Sequence, residues 1–502
     1  MESSSDIRSA SHPLNRRTLL AGLLAFGGTA STSTFAAGDE LASVRSKRHP
    51  LLRIRIEMDV KGNVNLASNP LDAESEKKAL PISSVATLDY EERPLAPRDA
   101  AEMSEVVAGQ RYYHEAKSSS VLNETKLEKS LREPLRHVVV HRETLPETLF
   151  SEENYFTQDE LALLRSPVSS LAVDQLLPEE SVAVGDRYEI KREALSSVLN
   201  LTSVDSGAVE SEVTEVTAKS IRFALEGEFE ASIDGVSTRM RLIGKLTFDR
   251  RYSTCTWLAL ALHETREIGK AEPGFDIAAT IRMVRRPMEK PVALPAKVAT
   301  VPFGTPVPDR RLFVELQCRE IPVGAMMRRN WRKVQDVPGT AVIRRIDHET
   351  NVAQCNLRSL VRLPGKATLS LAEFEADVRR TLGDQLTQIM PGDERVTAQG
   401  LKMLRVVADG ESGGVPLRWI MLHFSDDAGR RVQATFTMSA DRAKQFGADD
   451  FQLADSLRFL PPERTPGETP SENAEEVAGR LLEPAARVAG KKAGNSSPSD
   501  LD

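Results

Sequence analysis

From Leu52 onward the apolar side chains fall on even positions: Leu52, Ile54, Ile56, Met58, Val60, Val64 and Leu66, with Arg, Glu, Asp and Asn largely between them. A period of two is the signature of a strand with one face buried, and Gly62 predicts a bend in it. Further strands are read at 80–90, 112–117 and 136–141, the last around Val138, Val139 and Val140. Then the period changes. Thr157 and Glu160 make a capping box ahead of Leu161, Leu163 and Leu164, predicting a helix that Pro167 stops. Short helices are expected at 169–177 and 192–199. Alternation returns with Ile221, Phe223, Leu225, Phe229, Ala231 and Ile233, and again with Met240, Leu242, Leu246 and Phe248. Asp234 and Gly235 between those runs predict a hairpin. Segments 256–267 and 275–283 continue the meander, giving a twisted antiparallel sheet partly wrapped around the helices.

Six prolines between Pro287 and Pro308 predict an extended linker. Beyond it, strands are expected at 312–316, 340–347 and 351–360. A second capping box, Ser370 with Glu373, opens a helix whose core face is Phe374, Val378, Leu382 and Leu386. Strands at 401–408, 417–424 and 432–438 return to the sheet, and a short helix at 439–446 and a last strand at 456–460 complete the domain. From Pro461 the chain is rich in Pro, Glu, Gly and Ser, a composition that predicts disorder.

The N-terminus adds an address. Arg16 and Arg17 precede an apolar run from Thr18 to Ala30, with Ala36 and Ala37 as a small-residue exit. The run is shorter than the about 20 apolar residues of a membrane span, and this order of features is that of a signal peptide. Asn15 to Leu20 resembles the twin-arginine consensus, departing from it at Asn15, Leu19 and Ala21; an ordinary Sec signal is the alternative. No later stretch reads as a transmembrane helix, so periplasm or cell envelope is the expected location. The net charge of −7 argues against nucleic acid as a partner. Arginine pairs at Arg285 and Arg286, Arg310 and Arg311, Arg328 and Arg329, and Arg344 and Arg345 are read as solvated strand faces and linker. A patch for an anionic polymer or headgroup is the alternative. Of three cysteines, Cys255, Cys318 and Cys355, only the last two share a region, so they are the pair to test for a disulfide.

Four groups carry residue types suited to chemistry. His137 and His141 stand four apart, but the valines between them favour a strand, where that spacing is about 13 Å. One zinc, with nitrogen ligands at about 2.0–2.1 Å, cannot take both. Gly410, Glu411, Ser412, Gly413 and Gly414 fit the pattern of a nucleophile elbow, which needs a strand before and a helix after it. Here strands are expected on both sides, and a glycine-rich hairpin loop is the better reading. The likeness to the trypsin-type Gly-Asp-Ser-Gly-Gly fails at Glu411 and at Val415, and no Ala-Ala-His-Cys occurs upstream. His114, beside Tyr112 and Tyr113, has no visible partner to make it a general base. Asp39 with Glu40, and Glu152 with Glu153, lack metal-loop spacing. No catalytic, cofactor-binding or metal residue is assigned, and no cofactor is expected.

Two resemblances go further. Residues Leu88 to Arg93, Arg111 to Ala116, Leu176 to Pro178 with Val184 to Asp186, and Glu264 to Gly269 resemble an uncharacterised family of exported bacterial proteins. Its architecture is similar to lipoprotein carriers of the LolA/LolB type, which implies a curved half-barrel covering short helices. Residues Leu417 to Phe424, Asp426 to Gly429, Val432 to Met438, Phe446, Phe451 and Asp455 to Phe459 resemble the PsbP-like α/β/α sandwich, whose members are mostly non-catalytic. The expected fold is therefore α+β: signal peptide 1–37, flexible mature N-terminus 38–49, LolA-like domain 50–287, proline-rich linker 288–311, smaller PsbP-like domain 312–460 with a mainly antiparallel sheet, and disordered tail 461–502. The expected function is a non-catalytic envelope binding or interaction module for an unknown protein or envelope component. A carrier of lipid or another hydrophobic ligand is the alternative, and an envelope hydrolase with an unrecognised site comes third.

Overall fold

Long alternation becomes long strands. The structure, a computed structural model, describes residues 41–66, 78–97, 106–233, 236–268, 273–318, 320–347, 350–363 and 368–461. In the first region the strands are β1 (Leu52–Leu66), β2 (Lys78–Leu95), β3 (Ala108–Leu122), β4 (Thr125–Ser130), β5 (His137–His141) and β6 (Thr148–Phe150). Helix α1 (Gln158–Leu164), strand β7 (Arg187–Glu189) and helix α2 (Arg192–Leu199) follow. Then come β8 (Ser203–Val216), β9 (Ser220–Ile233), β10 (Val236–Asp249), β11 (Thr254–Arg266) and β12 (Gly274–Pro287). All twelve join one antiparallel sheet in the order β6-β5-β3-β2-β1-β12-β11-β10-β9-β8-β7, with β4 paired to β3.

That sheet is rolled. Eight strand spacings separate β5 from β8, about 38 Å if the sheet were flat. Yet Arg142, one residue past β5, bonds to Ser197 of α2, and α2 packs on β8. A helix of eight residues is only about 12 Å long, so the sheet must curl around it. One buried cluster accordingly takes in Ile54 and Ile56 of β1, Tyr90 of β2, Tyr113 of β3, Leu161 of α1, Leu195 of α2, and Phe223 and Phe248 of β9 and β10. The sheet stays open, since β6 and β7 at its two ends do not pair.

The second region holds β13 (Phe313–Cys318), β14 (Val323–Arg328), β15 (Trp331–Val337), β16 (Thr340–Asp347) and β17 (Thr350–Leu360). Helix α3 (Leu371–Leu382) precedes β18 (Leu386–Ile389), β19 (Asp393–Val396), β20 (Lys402–Ser412), β21 (Val415–Ser425) and β22 (Arg431–Ser439). Helices α4 (Ala443–Phe446) and α5 (Asp449–Ser456) lead to β23 (Arg458–Phe459). The main sheet runs β15-β16-β17-β22-β21-β20-β18, with β19 on β20. Helix α3 covers one face with Phe374, Val378 and Leu382, and α4 and α5 cover the other with Phe446, Leu453 and Ala454. Among the described residues the chain is thus α+β with β dominant, in open, mainly antiparallel sheets and no closed barrel. No helix among them is long and apolar enough to cross a membrane.

Several expectations need correction. Residues 38–49, read as flexible, are anchored where described: Ala42 and Val44 are buried in the first core, and Ala42 pairs with Val182. The last strand, β23, pairs with β14 in a separate three-stranded sheet with β13. Leu386 lies in β18 rather than on α3, because Gly383 ends the helix. Strand β8 is not among the expected strands, and two bulges interrupt its pairing with β9. At Gly207 in that strand a Cβ would stand 2.4 Å from the Glu228 carbonyl oxygen, so only glycine fits. The signal peptide, the pair Asp39 and Glu40, the Asp234 and Gly235 turn and the tail beyond Pro461 lie outside the described residues.

The two regions join through β13. Val314 is buried in the first core, the Glu315 N–H donates to the Phe156 carbonyl at 2.8 Å, and the Gln158 amide donates to the carbonyls of Arg329 and Trp331. The described residues through Phe459 form one compact unit.

Candidate functional site

The sequence candidates separate in space. His137 and His141 face outward on β5 and meet different partners: His137 Nε2 lies 2.7 Å from the Gln110 amide nitrogen, and His141 Nε2 lies 3.6 Å from a Glu143 oxygen. Ser412 ends β20 at a two-residue turn in which Gly413 and Gly414 take φ of 58° and 80°. Such a turn joins two strands of a hairpin, and the Ser412 hydroxyl meets only the exposed Gln385 amide at 3.4 Å. His114 occupies a bulge in β3 and does have a partner, the Glu91 carboxylate at 2.7 Å. The cysteines are free and buried, Cys318 and Cys355 in one core. The arginine pairs are not simply solvated: Arg285 and Arg345 are buried, while Arg286, Arg310, Arg328 and Arg344 are exposed. Alternation along a strand sends neighbours to opposite faces.

The rolled sheet's inner face carries polar groups that the apolar period alone did not reveal. Glu92 on β2 and Arg111 on β3 are cross-strand partners, with Arg111 Nε donating to the Glu92 carboxylate at 2.7 Å and both side chains almost wholly buried. The Ser170 hydroxyl donates to Glu92 at 2.8 Å, and the Tyr90 hydroxyl lies 2.9 Å from Ser170. Glu147 stands between Arg111 and Arg142, at 3.8 and 2.8 Å, and accepts from the Ser169 hydroxyl. Two arginines thus face two glutamates. Burial pulls against the Arg111 charge, but Tyr90, Tyr113, Glu92 and Glu147 around it hold its pKa well above the ordinary value. A second cluster sets Asp174 against Arg285 at 2.8 Å, the Thr254 hydroxyl at 3.0 Å and the Cys255 N–H at 2.7 Å. Burial opposes the Asp174 charge too, yet Arg285 and those donors keep its carboxyl below the usual range. Ser169, Ser170 and Asp174 belong to the segment between α1 and β7, so both clusters tie the inner helices to the sheet. Charge-matched and sealed from water, they orient structure and offer no substrate a place.

On the outer face the proline-rich segment lies as a strap. The buried Glu91 carboxylate accepts the backbone N–H groups of Val292, Ala293 and Leu294 at 3.0–3.2 Å. Burial raises its pKa, but those three donors and His114 outweigh burial and lower it. Further along, Gln110 donates to the Lys297 carbonyl, and Ala299 and Val307 pack on Val139 and Phe150.

The second region holds an open cleft of about 290 Å³ beside α3. Phe374, Val378, Met421 and Leu369 give it apolar walls, and His423, Arg431 and Gln433 give it a polar floor. The site follows from strand register: His423 is opposite Gln433 across β21 and β22, and Arg431 is two residues before Gln433 on the same face. Arg431 Nε donates to His423 Nε2 at 2.9 Å, which leaves the ring proton on Nδ1. Nδ1 is buried and has no partner. Burial and then the Arg431 charge push the His423 pKa down to about 4, so the ring is neutral at physiological pH. Arg431 Nη1 donates to the Val361 carbonyl at 3.1 Å, and among the described residues no carboxylate lies within ion-pair distance of this guanidinium. Burial lowers its pKa, offset in part by Asp377.

No family model and no curated protein matches the chain. Solved structures that resemble part of it include one from Bacteroides thetaiotaomicron, 9% identical over 31% of this chain, with a TM-score of 0.21. The chain spans 50% of that structure's length. Another is the cyanobacterial PsbP of Synechocystis sp. PCC 6803, 13% identical, covering 32% of this chain and 98% of that one, TM-score 0.24. A third is a protein of unknown function, PA94, from Pseudomonas aeruginosa, 12% identical over 30% of this chain and 99% of that one, TM-score 0.18. The neighbours of this chain thus include PsbP and proteins of unknown function, at a likeness too low to carry an argument about activity.

Proposed function

We propose that this chain is an exported, non-catalytic protein of the cell envelope that binds a partner or ligand. In this reading the LolA-like half-barrel serves as a filled platform and the PsbP-like sandwich presents the binding surface. The observation that carries it is the inner face of the rolled sheet. A carrier of acyl chains needs an apolar cavity there. Instead α1, α2 and the turn containing Asp174 lie against it, pinned by the two sealed ion clusters. Buried charges that are paired and hydrogen-bonded stabilise one arrangement, and breaking a pair to admit a lipid would strand a charge. The clustering of the two regions into one unit also favours a rigid scaffold over a container that opens.

The test is organic extraction of the purified protein followed by lipid mass spectrometry. No stoichiometric lipid is expected; one acyl chain per protein would overturn the reading in favour of a carrier. For location, a reporter that folds in the cytoplasm, fused behind residues 1–37, should be exported. Replacing Arg16 and Arg17 together by lysine should stop it, and a signal that exports only a reporter kept unfolded in the cytoplasm would be assigned to the Sec route.

A further inference from the structure

We propose that the cleft beside α3 is a binding site for a small monoanion with an apolar body, held through its carboxylate by Arg431. This rests on the reading of the chain as a binding protein and names the ligand class. Charge accounting around the cleft leaves this arginine without a carboxylate. Arg418 is bidentate to Asp409, Arg405 meets Asp450, Arg430 meets Asp426 and Arg345 meets Asp449. Arg431 spends its Nε on a neutral imidazole and one Nη on a carbonyl. The other charges near the cleft are taken: Asp377 by Arg380, and Lys402 by Glu394. A half-buried guanidinium that faces an open cleft and no carboxylate keeps donors available for an anion. The planar guanidinium fork suits a carboxylate, and a single unmatched cation suits one negative charge.

His423 supplies the second observation. It lines the cleft, is 1% exposed, and packs on the Phe374 ring with 5.8 Å between centroids. Because Arg431 is hydrogen-bonded to Nε2, the neutral ring keeps a donor on Nδ1 and adds no charge. The walls of Phe374, Val378 and Met421 are apolar, so the rest of the ligand should be hydrocarbon. The volume of about 290 Å³ lies at the small end of ligand sites, which run from about 300 to 1,000 Å³. One short chain or one apolar side chain fits. A free short-chain acid and the C-terminal carboxylate of a peptide ending in an apolar residue share this chemistry.

Calorimetric titration of the full-length protein separates these sources. The probes are octanoate against octanamide, and an acetylated tripeptide ending in leucine as the free acid against its amide. At least one acid should bind, about tenfold or more tighter than its amide, the loss expected when a charge-assisted contact is removed. The variant Arg431→Gln should erase that preference. Thr381→Trp, an exposed rim position on α3, should block the cleft without touching a core. Acid and amide binding alike, or neither acid binding at millimolar concentration, overturns the proposal. Octanoate binding that survives both variants overturns it too, and by pointing to another site it challenges the filled platform as well. Stoichiometric lipid found on extraction, with Arg431-dependent octanoate binding intact, would overturn the platform alone.

Discussion

Arg111 and Arg431 both lie on sheet faces beneath helices, and they meet opposite surroundings. Arg111 is closed in by Glu92, Glu147, Ser170 and two tyrosines, each with its own partner. Arg431 rests on a neutral histidine at the floor of an open cleft. The difference is one of completion. Where the chain supplies every counter-charge, the cluster holds the fold together and has no capacity left for a ligand. Where it supplies the cation but not the anion, the missing group must come from solvent or from a bound molecule. Buried charge alone therefore does not mark a site; an unmatched charge with an opening does.

The largest expected effect tests the closed cluster. Glu92→Leu removes the anion and leaves Arg111 uncompensated, which should cost about 3–5 kcal/mol. The denaturant midpoint of the first region would report it. Pairing it with Arg111→Met should recover much of the loss, since a packed apolar pair often replaces a buried ion pair at little cost. Arg431→Gln, by contrast, should change stability by less than about 1 kcal/mol, because it strands no opposite charge. Equal costs for Glu92→Leu and Arg431→Gln would collapse the comparison.

Acid should act on the open site next. The folded pKa of His423, about 4, lies below its unfolded value of 6.5. Between those two values the unfolded chain binds a proton that the folded chain does not, so stability falls as pH drops through that window and is then lost no further. The size is about 3 kcal/mol for a shift of this order. Unfolding midpoints from pH 7 to pH 4 should slope less steeply in His423→Gln, which cannot take up that proton. An identical slope would show that the ring is reached by water and charges freely in the folded protein.

How far these sites could be read beforehand depended on whether their partners were local. Alternation located β1, β9 and β10, because one face of each is apolar along its whole length. Even the closed cluster left a mark: Glu92 continues the inward period of Leu88 and Tyr90, and Arg111 that of Tyr113, with opposite charges in register. Both lie in the stretches that resemble the exported family, Leu88 to Arg93 and Arg111 to Ala116. The strap was legible as extended from its prolines, but Glu91, about 200 residues away, is what it lies on. Nothing periodic in a sequence encodes that pairing. His423 and Arg431 looked like ordinary strand polarity, because only the placement of α3 decides which part of that sheet face is covered.

The strap offers a smaller perturbation of the same contrast, a carboxylate completed by backbone rather than by side chains. Glu91→Gln weakens acceptance from three N–H groups and should destabilise the strap by about 1–3 kcal/mol. Amide exchange at Val292, Ala293 and Leu294 should quicken while that of β1 and β12 holds. Since its folded pKa is lowered, the carboxylate's contribution is present above the unfolded value and fades as pH falls through the folded one. Exchange at those amides should therefore quicken in acid in the native protein and change little in the variant.

The smallest effects come from the two capping boxes, which look equivalent in the sequence and are not. At α3, Glu373 is exposed and accepts only from the Ser370 backbone and hydroxyl. At α1, Glu160 does the same for Thr157 but is buried, and it also takes both Arg132 Nε and Nη2 at 2.8 Å. Arg132 in turn reaches Glu315 of β13 at 2.9 Å, so this cap is part of the joint between the two regions. Ser370→Ala and Thr157→Ala should each cost about 1 kcal/mol, the usual worth of an N-cap. Glu373→Gln should cost no more than that, whereas Glu160→Gln should cost more by up to about 1 kcal/mol, the worth of an ion pair whose arginine is partly exposed. Thermal unfolding of the four variants checks the ranking. If Glu160→Gln matched Glu373→Gln, the Arg132 bridge would contribute nothing, and the two regions would be held together by the burial of Val314, the backbone pairing at Glu315 and the Gln158 contacts to Arg329 and Trp331.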